Sequence, residues 1–299
     1  MLKQINNKSQ QTLIIQSLLS RINNNSTNTG TRVTEWSDTP LDTNYPSEKL
    51  VKDTIDNLDL TGGGDITKLY NESESNKTFY IDYTSGSDDN DGLTTSTAFK
   101  TITRVWNEIP IFFSSIYNIK IIGDYNNTET EVLKSRIGLK NNSQILITSN
   151  DTNNLSKITN RIAFVNVSIT GYGTSTIYPG LFIKNLNFVG NGVSFFGCKE
   201  PYVSTCTFDG STTSTNFVYS YNSNVTVTKS TFTGLSTDTE SPLIYVTRHS
   251  SVYTYNNTFN TCKIGIGGYI NSNISSISNT FNNVSSETIK DSSSTIIVA

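Results

Sequence analysis

Between residues 181 and 283 one arrangement of apolar and polar positions keeps returning. Aligned on a phenylalanine, the segments are LFIKNLNFVG (181–190), PYVSTCTFDG (201–210), VTVTKSTFTG (225–234), VYTYNNTFNT (252–261) and ISSISNTFNN (274–283). Their anchors, Phe188, Phe208, Phe232, Phe259 and Phe281, follow one another at 20, 24, 27 and 22 residues. Propeller blades need longer repeats and leucine-rich repeats need their own leucine pattern. Coils of this length built from short strands are what a parallel β-helix yields, with successive strands stacked at about 4.8 Å and like residues over like.

Strand alternation then assigns the faces. Seven residues before the anchors stand Leu181, Pro201, Val225, Val252 and Ile274, and five before them Ile183, Val203, Val227, Thr254 and Ser276; both sets point inward. Phe182, Tyr202, Thr226, Tyr253 and Ser275, between them, point outward. Two residues past the anchors come Gly190, Gly210, Gly234, Thr261 and Asn283, where glycine would permit a positive φ at a corner. FVYSY, LIYVT and GYI lead into NSNV, HSSV and NSNI. These polar triplets read as turns between two faces, since Asn and Ser bond the local backbone. IKIIG (119–123), QILIT (144–148) and IAFVNVSI (162–169) read as earlier strands of the same stack.

The N-terminal pattern is different. Ile14, Ile15, Leu18, Leu19 and Ile22 form one stripe of a helix. A helix of this length is marginal alone, so it needs something to pack on. After a polar linker, Ser47 caps a second helix carrying Leu50, Val51, Ile55 and Leu58 on one side, and TGGGD (61–65) makes a flexible joint. The expected division is a helical and linker region at 1–65 and a β-helix domain at 66–299, with strands from about residue 79.

Composition narrows the function. The chain is 34% hydrophobic and only 16% charged, with 15 Tyr and 14 Phe, a balance that suits a hydrogen-bonded β protein better than a disordered one. A formal net charge of −3 and the absence of a basic cluster exclude a general nucleic-acid or anionic-membrane binder. Cys198, Cys206 and Cys262 lack metal-ligand spacing, and the single His249 cannot complete a zinc site with them. The first 25 residues, with an apolar run broken by Gln16 and Ser17, predict neither a signal peptide nor a membrane span.

One stretch looks chemical: TSGSDDNDG (84–92). With Gly92 as the sixth position of a calcium loop, the first is Ser87 and the twelfth Ala98, so the EF-hand template fails. A looser calcium site at Asp88, Asp89 and Asp91 stays open beside the reading as a structural turn, which needs no cofactor.

The loop's neighbours carry a resemblance. FYIDYTSGSDDNDGLTTSTAFKTITRVWNEIP, followed by IKIIGDY, resembles the opening coil of the pectate-lyase-like, right-handed parallel β-helix proteins found among phage tailspikes and fibres. The match spans residues 79–125. It implies an all-β, single-stranded parallel β-helix (solenoid) whose open end is plugged by a short helix over Thr101–Glu108, with Ile102, Val105, Trp106 and Ile109 on its inner face. TEWSDTPLDTNYPSEKLVKDTID similarly resembles an attachment segment near the N-termini of phage fibre proteins, and implies a virion component docked through residues 1–65.

Many relatives of that kind cleave polysaccharides, and hydrolysis requires two carboxyl groups flanking a sugar. Asp209, with Asp238 and Glu240 in the longer loop of the next coil, are the candidates for catalysis; solvated turn residues are the competing reading. Phe182, Tyr202, Tyr219, Tyr221, Tyr245, Tyr253 and Tyr255 are candidates for an outward aromatic surface that meets a neighbouring subunit or a glycan. The leading expectation is a structural, homotrimeric phage fibre or spike on the virion that contacts the host surface. The alternatives are a tailspike depolymerase acting on surface polysaccharide, as hydrolase or lyase, and a cell-surface adhesin.

Overall fold

The computed structural model describes residues 70–71, 75–139, 143–169, 180–210, 216–234 and 241–298. The attachment segment and both N-terminal helices expected within 1–65 lie outside the described residues. β1 (Tyr70–Asn71) and β2 (Lys77–Asp82) come first, then helix α1 (Ile102–Glu108) and β3 (Phe112–Phe113). The chain continues through β4 (Ile116–Ile122), β5 (Glu131–Gly138), β6 (Gln144–Ser149), β7 (Lys157–Ile158) and β8 (Ile162–Ile169). Three turns of three short strands follow: β9 (Gly180–Lys184), β10 (Asn187–Val189) and β11 (Val193–Phe196); β12 (Tyr202–Ser204), β13 (Thr207–Asp209) and β14 (Val218–Tyr221); β15 (Asn224–Thr228), β16 (Thr231–Thr233) and β17 (Ile244–Thr247). β18 (Ser251–Tyr255), β19 (Thr258–Tyr269), β20 (Asn273–Ile277), β21 (Thr280–Lys290) and β22 (Thr295–Val298) complete it.

These strands form two parallel sheets. The first strand of every turn enters a nine-stranded sheet, β2-β4-β6-β9-β12-β15-β18-β20-β22, here called face one. The others form a curled thirteen-stranded sheet, in which β19 pairs with β16 through its beginning and with β17 through its end. Its two halves are faces two and three. The chain therefore winds from face one to two to three and back, each turn landing in register on the last, in a parallel β-helix-like architecture.

The repeat read from the sequence is the stacking register. Phe188, Phe208, Phe232, Phe259 and Phe281 pair directly, strand upon strand, on face two. Their rings stack at 4.9, 4.6, 5.0 and 4.9 Å, with interplanar angles of 7°, 0°, 9° and 10°. Ile158, over Phe188, and Tyr125, over Ile158, extend the column upward. On face one Ile147, Ile183, Val203, Val227, Thr254 and Ser276 share another buried column. Burying a large apolar side chain contributes about 1.5–3 kcal/mol before chain entropy is charged, so the columns are the main source of stability.

Corners are built differently from the sequence expectation. Of the three glycines two past the anchors only Gly190 has a positive φ; Gly210 and Gly234 do not, while Thr261 and Asn283 do. Gly234 is instead demanded by space, since a Cβ there would stand 2.7 Å from that of Cys262. The regular left-handed position lies three residues before each anchor, at Asn185, Thr205, Lys229, Asn256 and Ser278, with φ between 51° and 54°. The next residue turns inward. Its side chain caps the backbone of the turn before: the Cys206 N–H donates to Ser230 Oγ (3.2 Å), the Ser230 N–H to Asn257 Oδ1 (2.9 Å), and the Asn257 N–H to Asn279 Oδ1 (2.9 Å).

A second ladder runs through the polar triplets between faces three and one. The Cys198 N–H donates to Ser223 Oγ (2.8 Å), Ser223 N–H to Ser250 Oγ (3.2 Å) and Ser272 N–H to Ser294 Oγ (3.1 Å). A corner buries backbone donors that strand pairing cannot reach, and buried donors need partners. Ser and Asn supply them, which explains how a chain with so little apolar content fills its interior.

Helix α1 takes the place of a face-two strand in the first turn. Thr101 caps it, its Oγ1 accepting from the Arg104 N–H at 3.1 Å. Ile102, Val105, Trp106 and Ile109 are buried, as the resemblance implied. The Ile102 N–H donates to the Tyr125 hydroxyl (3.0 Å), so the helix sits over the end of the face-two column.

Candidate functional site

In this architecture the inward residues are committed to the columns, and recognition falls to outward side chains. The aromatic candidates separate into two places. On face one Phe182 and Tyr202 are cross-strand neighbours with ring centroids 5.3 Å apart. Further along the same face Tyr253 and Tyr255 are exposed, at 41% and 37%. Tyr219, Tyr221 and Tyr245 belong to face three.

There Tyr219 stacks on Tyr245 (5.4 Å, 9°), and Tyr245 on Tyr269 (4.9 Å, 18°). Phe196 leans on both Tyr219 and Tyr221 at about 40°, and the Arg248 guanidinium lies 5.4 Å above the Tyr221 ring. Phe196 and Tyr269 were missed from sequence, although their register with Tyr221 would have exposed them had the third strand been aligned as the second was. Gly267 makes room for this ladder: a Cβ there would meet Pro242 Cγ at 2.6 Å and Tyr269 Cε2 at 3.0 Å. Partial burial, then the neighbouring phenols Tyr245 and Tyr221, raise the Tyr219 pKa. Rings stacked face to face along the column cover one another's π faces. What they offer outward is edges and hydroxyls, a surface suited to another protein more than to a sugar ring.

Beside the phenylalanine column, face two shows a polar surface. Thr207, Thr231, Thr258 and Thr280 form one row, continued above by Asn187 and then Lys157; Asp209, Thr233, Asn260 and Asn282 form a second, headed by Val189. The signal was present in the aligned repeat, as the residues flanking each anchor. Thr207 Oγ1 donates to Asn187 Oδ1 (2.8 Å), and Asn282 Nδ2 to Asn260 Oδ1 (2.9 Å). The hydroxyls of Thr231, Thr233, Thr258 and Thr280 have no hydrogen-bond partner among the described residues.

Of the catalytic candidates, Asp209 is a half-buried outward residue of β13, in register between Val189 and Thr233. Asp238 and Glu240 lie outside the described residues. Two longer connections leave face two in consecutive turns here, and their bases are tied together: Arg161 donates to the Asn216 carbonyl (2.6 Å) and Asn216 Nδ2 to that of Pro242 (2.6 Å). Burial lowers the Arg161 pKa.

The aspartate loop folds back on its own strand. Asp88 accepts from the Lys100 and Thr101 N–H groups through Oδ1, and from Thr101 Oγ1 through Oδ2, all at 2.9 Å. Asp91 accepts from the Leu93 N–H (3.0 Å) and Thr97 Oγ1 (2.6 Å), bonds that lower its pKa. The Asp89 N–H donates to Ser87 Oγ at 3.3 Å. Gly86 is required because a Cβ would stand 2.4 Å from the Phe99 carbonyl oxygen. Among the described residues, no three His, Cys, Asp or Glu side chains gather as a metal-ligand set.

Both ladder-head thiols are buried, and burial pushes Cys198 and Cys206 up to about 12. They are interior fillers, each Sγ donating to a carbonyl of the preceding turn.

The fold and its outward faces define a mostly β, parallel, β-helix-like protein whose described strands present lateral surfaces. No protein family, curated protein or solved structure matches the chain.

Proposed function

We propose that this protein is a structural fibre or spike subunit of a phage virion: a right-handed, single-stranded parallel β-helix of the pectate-lyase-like kind, docked through residues 1–65. The observation that carries the reading is the unbroken register from β2 to β22. Nine strands of face one stacked at about 4.8 Å give a stiff rod on the order of 40 Å long. Rods of this kind transmit position and present lateral surfaces. The two resemblances, in the opening coil and in the attachment segment, supply the virion context.

The tyrosine ladder of face three is the proposed contact between subunits of a homotrimer. Its stacked rings bury large area at low entropic cost and keep hydroxyls at the rim. Light scattering should give three times the 33.0 kDa chain mass, and Tyr219→Ala with Tyr245→Ala should shift it towards one. A monomer in the wild type would sink this reading. The tailspike depolymerase is the competing one, with Asp209 as its candidate: release of oligosaccharides from host envelope glycan, abolished by Asp209→Ala, would replace the structural role with an enzymatic one.

A further inference from the structure

We propose that the surface meeting the tyrosine ladder of face three is face one of the next copy in the ring, with Ile270, at the corner joining those two faces, on the three-fold axis. The proposal rests on the homotrimer reading and supplies the complementary surface that reading requires. A ring of three closes through heterologous contacts, in which each copy gives one patch to the neighbour on one side and a different patch to the neighbour on the other. Face three therefore cannot pair with face three. Three bodies approach an axis most closely at a tight corner, and the corner between faces three and one is tight throughout the ladder. At most three residues separate Tyr221 from Asn224, Thr247 from Ser251 and Tyr269 from Asn273. The connections that bring the chain from face two into β14 and β17 are longer.

The outward residues agree with this pairing. No charged residue occurs in the face-one strands β12, β15, β18 and β20, nor in the face-three strands β11, β14 and β17 or the Ile266–Tyr269 end of β19. Interface cores are depleted of charge and enriched in aromatic rings. Among the exposed large apolar side chains of the described residues, Tyr253, Tyr255, Ile297 and Val298 stand on face one, Val132 on face three and Ile270 at their common corner; none stands on face two. Ile270 is 44% exposed and has a φ of 55°. A β-branched residue resists that region, and such strain persists where a function uses it. Arg248, its counterpart one turn earlier, lies over its own Tyr221 ring, and Asp291 below is engaged by the Ile270 N–H, so the apolar side chain is what this corner offers. At the axis its three copies cover one another. An axis along the stack leaves height unchanged, which brings Tyr253 of one copy level with Tyr245 of the next, since β17 and β18 are consecutive strands.

The test is light scattering of the full chain across a dilution series, beside the combined Tyr253→Lys, Ile297→Lys variant, which leaves the face-three ladder untouched. The variant is expected to dissociate at a concentration about tenfold or more above that of the wild type, while Thr231→Lys, on face two, leaves the trimer intact. Should the double variant fold poorly by circular dichroism, Tyr253→Ser alone must still weaken the trimer. Cross-linking supplies the pairing directly, because the three native thiols are buried. A short bis-maleimide should join Tyr253→Cys chains to Tyr245→Cys chains in a mixed trimer and join neither variant to itself. A trimer indifferent to the face-one substitutions, a trimer lost on Thr231→Lys, or Tyr245→Cys chains joined to one another overturns the proposal and leaves the homotrimer reading standing. A wild-type monomer removes both.

Discussion

Phe208 and Phe232 lie with ring centroids 4.6 Å apart and planes at 0°, twenty-four residues apart in sequence and direct neighbours across two parallel strands. Each is the other's floor or ceiling, and three more phenylalanines continue the column. The arrangement makes stability depend on position in the stack as well as on residue type.

Phe232→Ala opens a cavity with rings above and below it. The expected loss is about 3–5 kcal/mol, read as a lower urea midpoint. Phe281→Ala, at the half-buried end of the column, should cost clearly less.

The corner ladder gives a second gradient. Asn257→Ala removes the acceptor of the Ser230 N–H and two further bonds, from Asn257 Nδ2 to the Val227 carbonyl and to Asn279. Each orphaned buried group costs about 1–3 kcal/mol. Cys206→Ser should be tolerated far better, since serine already fills the equivalent position at 230. Chemical denaturation of the two variants checks the order.

Buried thiols set an alkaline limit. In the unfolded chain Cys198 and Cys206 ionise near 9.0, whereas the folded chain holds them neutral to about 12. Above pH 9 the unfolded state binds fewer protons, so this contribution to stability is complete below pH 9 and is lost as pH rises towards 12. Stability of the Cys198→Ser, Cys206→Ser variant should fall less steeply across that window.

Asp291 sets the opposite sign in acid. It accepts from the Ile270 N–H (2.6 Å) and from Ser293, and these bonds hold its pKa down to about 2. Its contribution is present above the ordinary 3.8 and disappears as pH falls through about 2. Asp291→Asn should flatten the acid limb of a pH–stability curve there.

Asp88→Ala tests the loop. Losing the acceptor of two backbone N–H groups and the helix-capping Thr101 hydroxyl should lower stability by about 2 kcal/mol or more. Thermal melts with calcium and with EDTA should coincide; a rise of several degrees with calcium would give the loop a cation as well as a turn.

Much of this was legible along the chain. The five anchor phenylalanines, the inward columns, the polar triplets and the inner face of α1 are all readable because a coil puts like residues over like, so that spatial register becomes sequence periodicity. The glycine corners were half read because room and a positive φ are separate demands: Gly190, Thr261 and Asn283 are left-handed as expected, Gly234 answers the demand for room, and the more regular left-handed position, at Asn185, Thr205, Lys229, Asn256 and Ser278, has no single residue type to mark it.

By itself the sequence determined the repeat, the strand-rich class and the identity of the stacking residues, since these depend on local alternation and on a period that survives in one dimension. Tertiary structure alone decided how the outward aromatics divide between faces one and three, that their rings spend their faces on each other, and that Asp88 and Asp91 hold backbone N–H groups. Those facts depend on which strand lies over which and how a side chain turns once there, and connections of unequal length conceal that until the coils are closed.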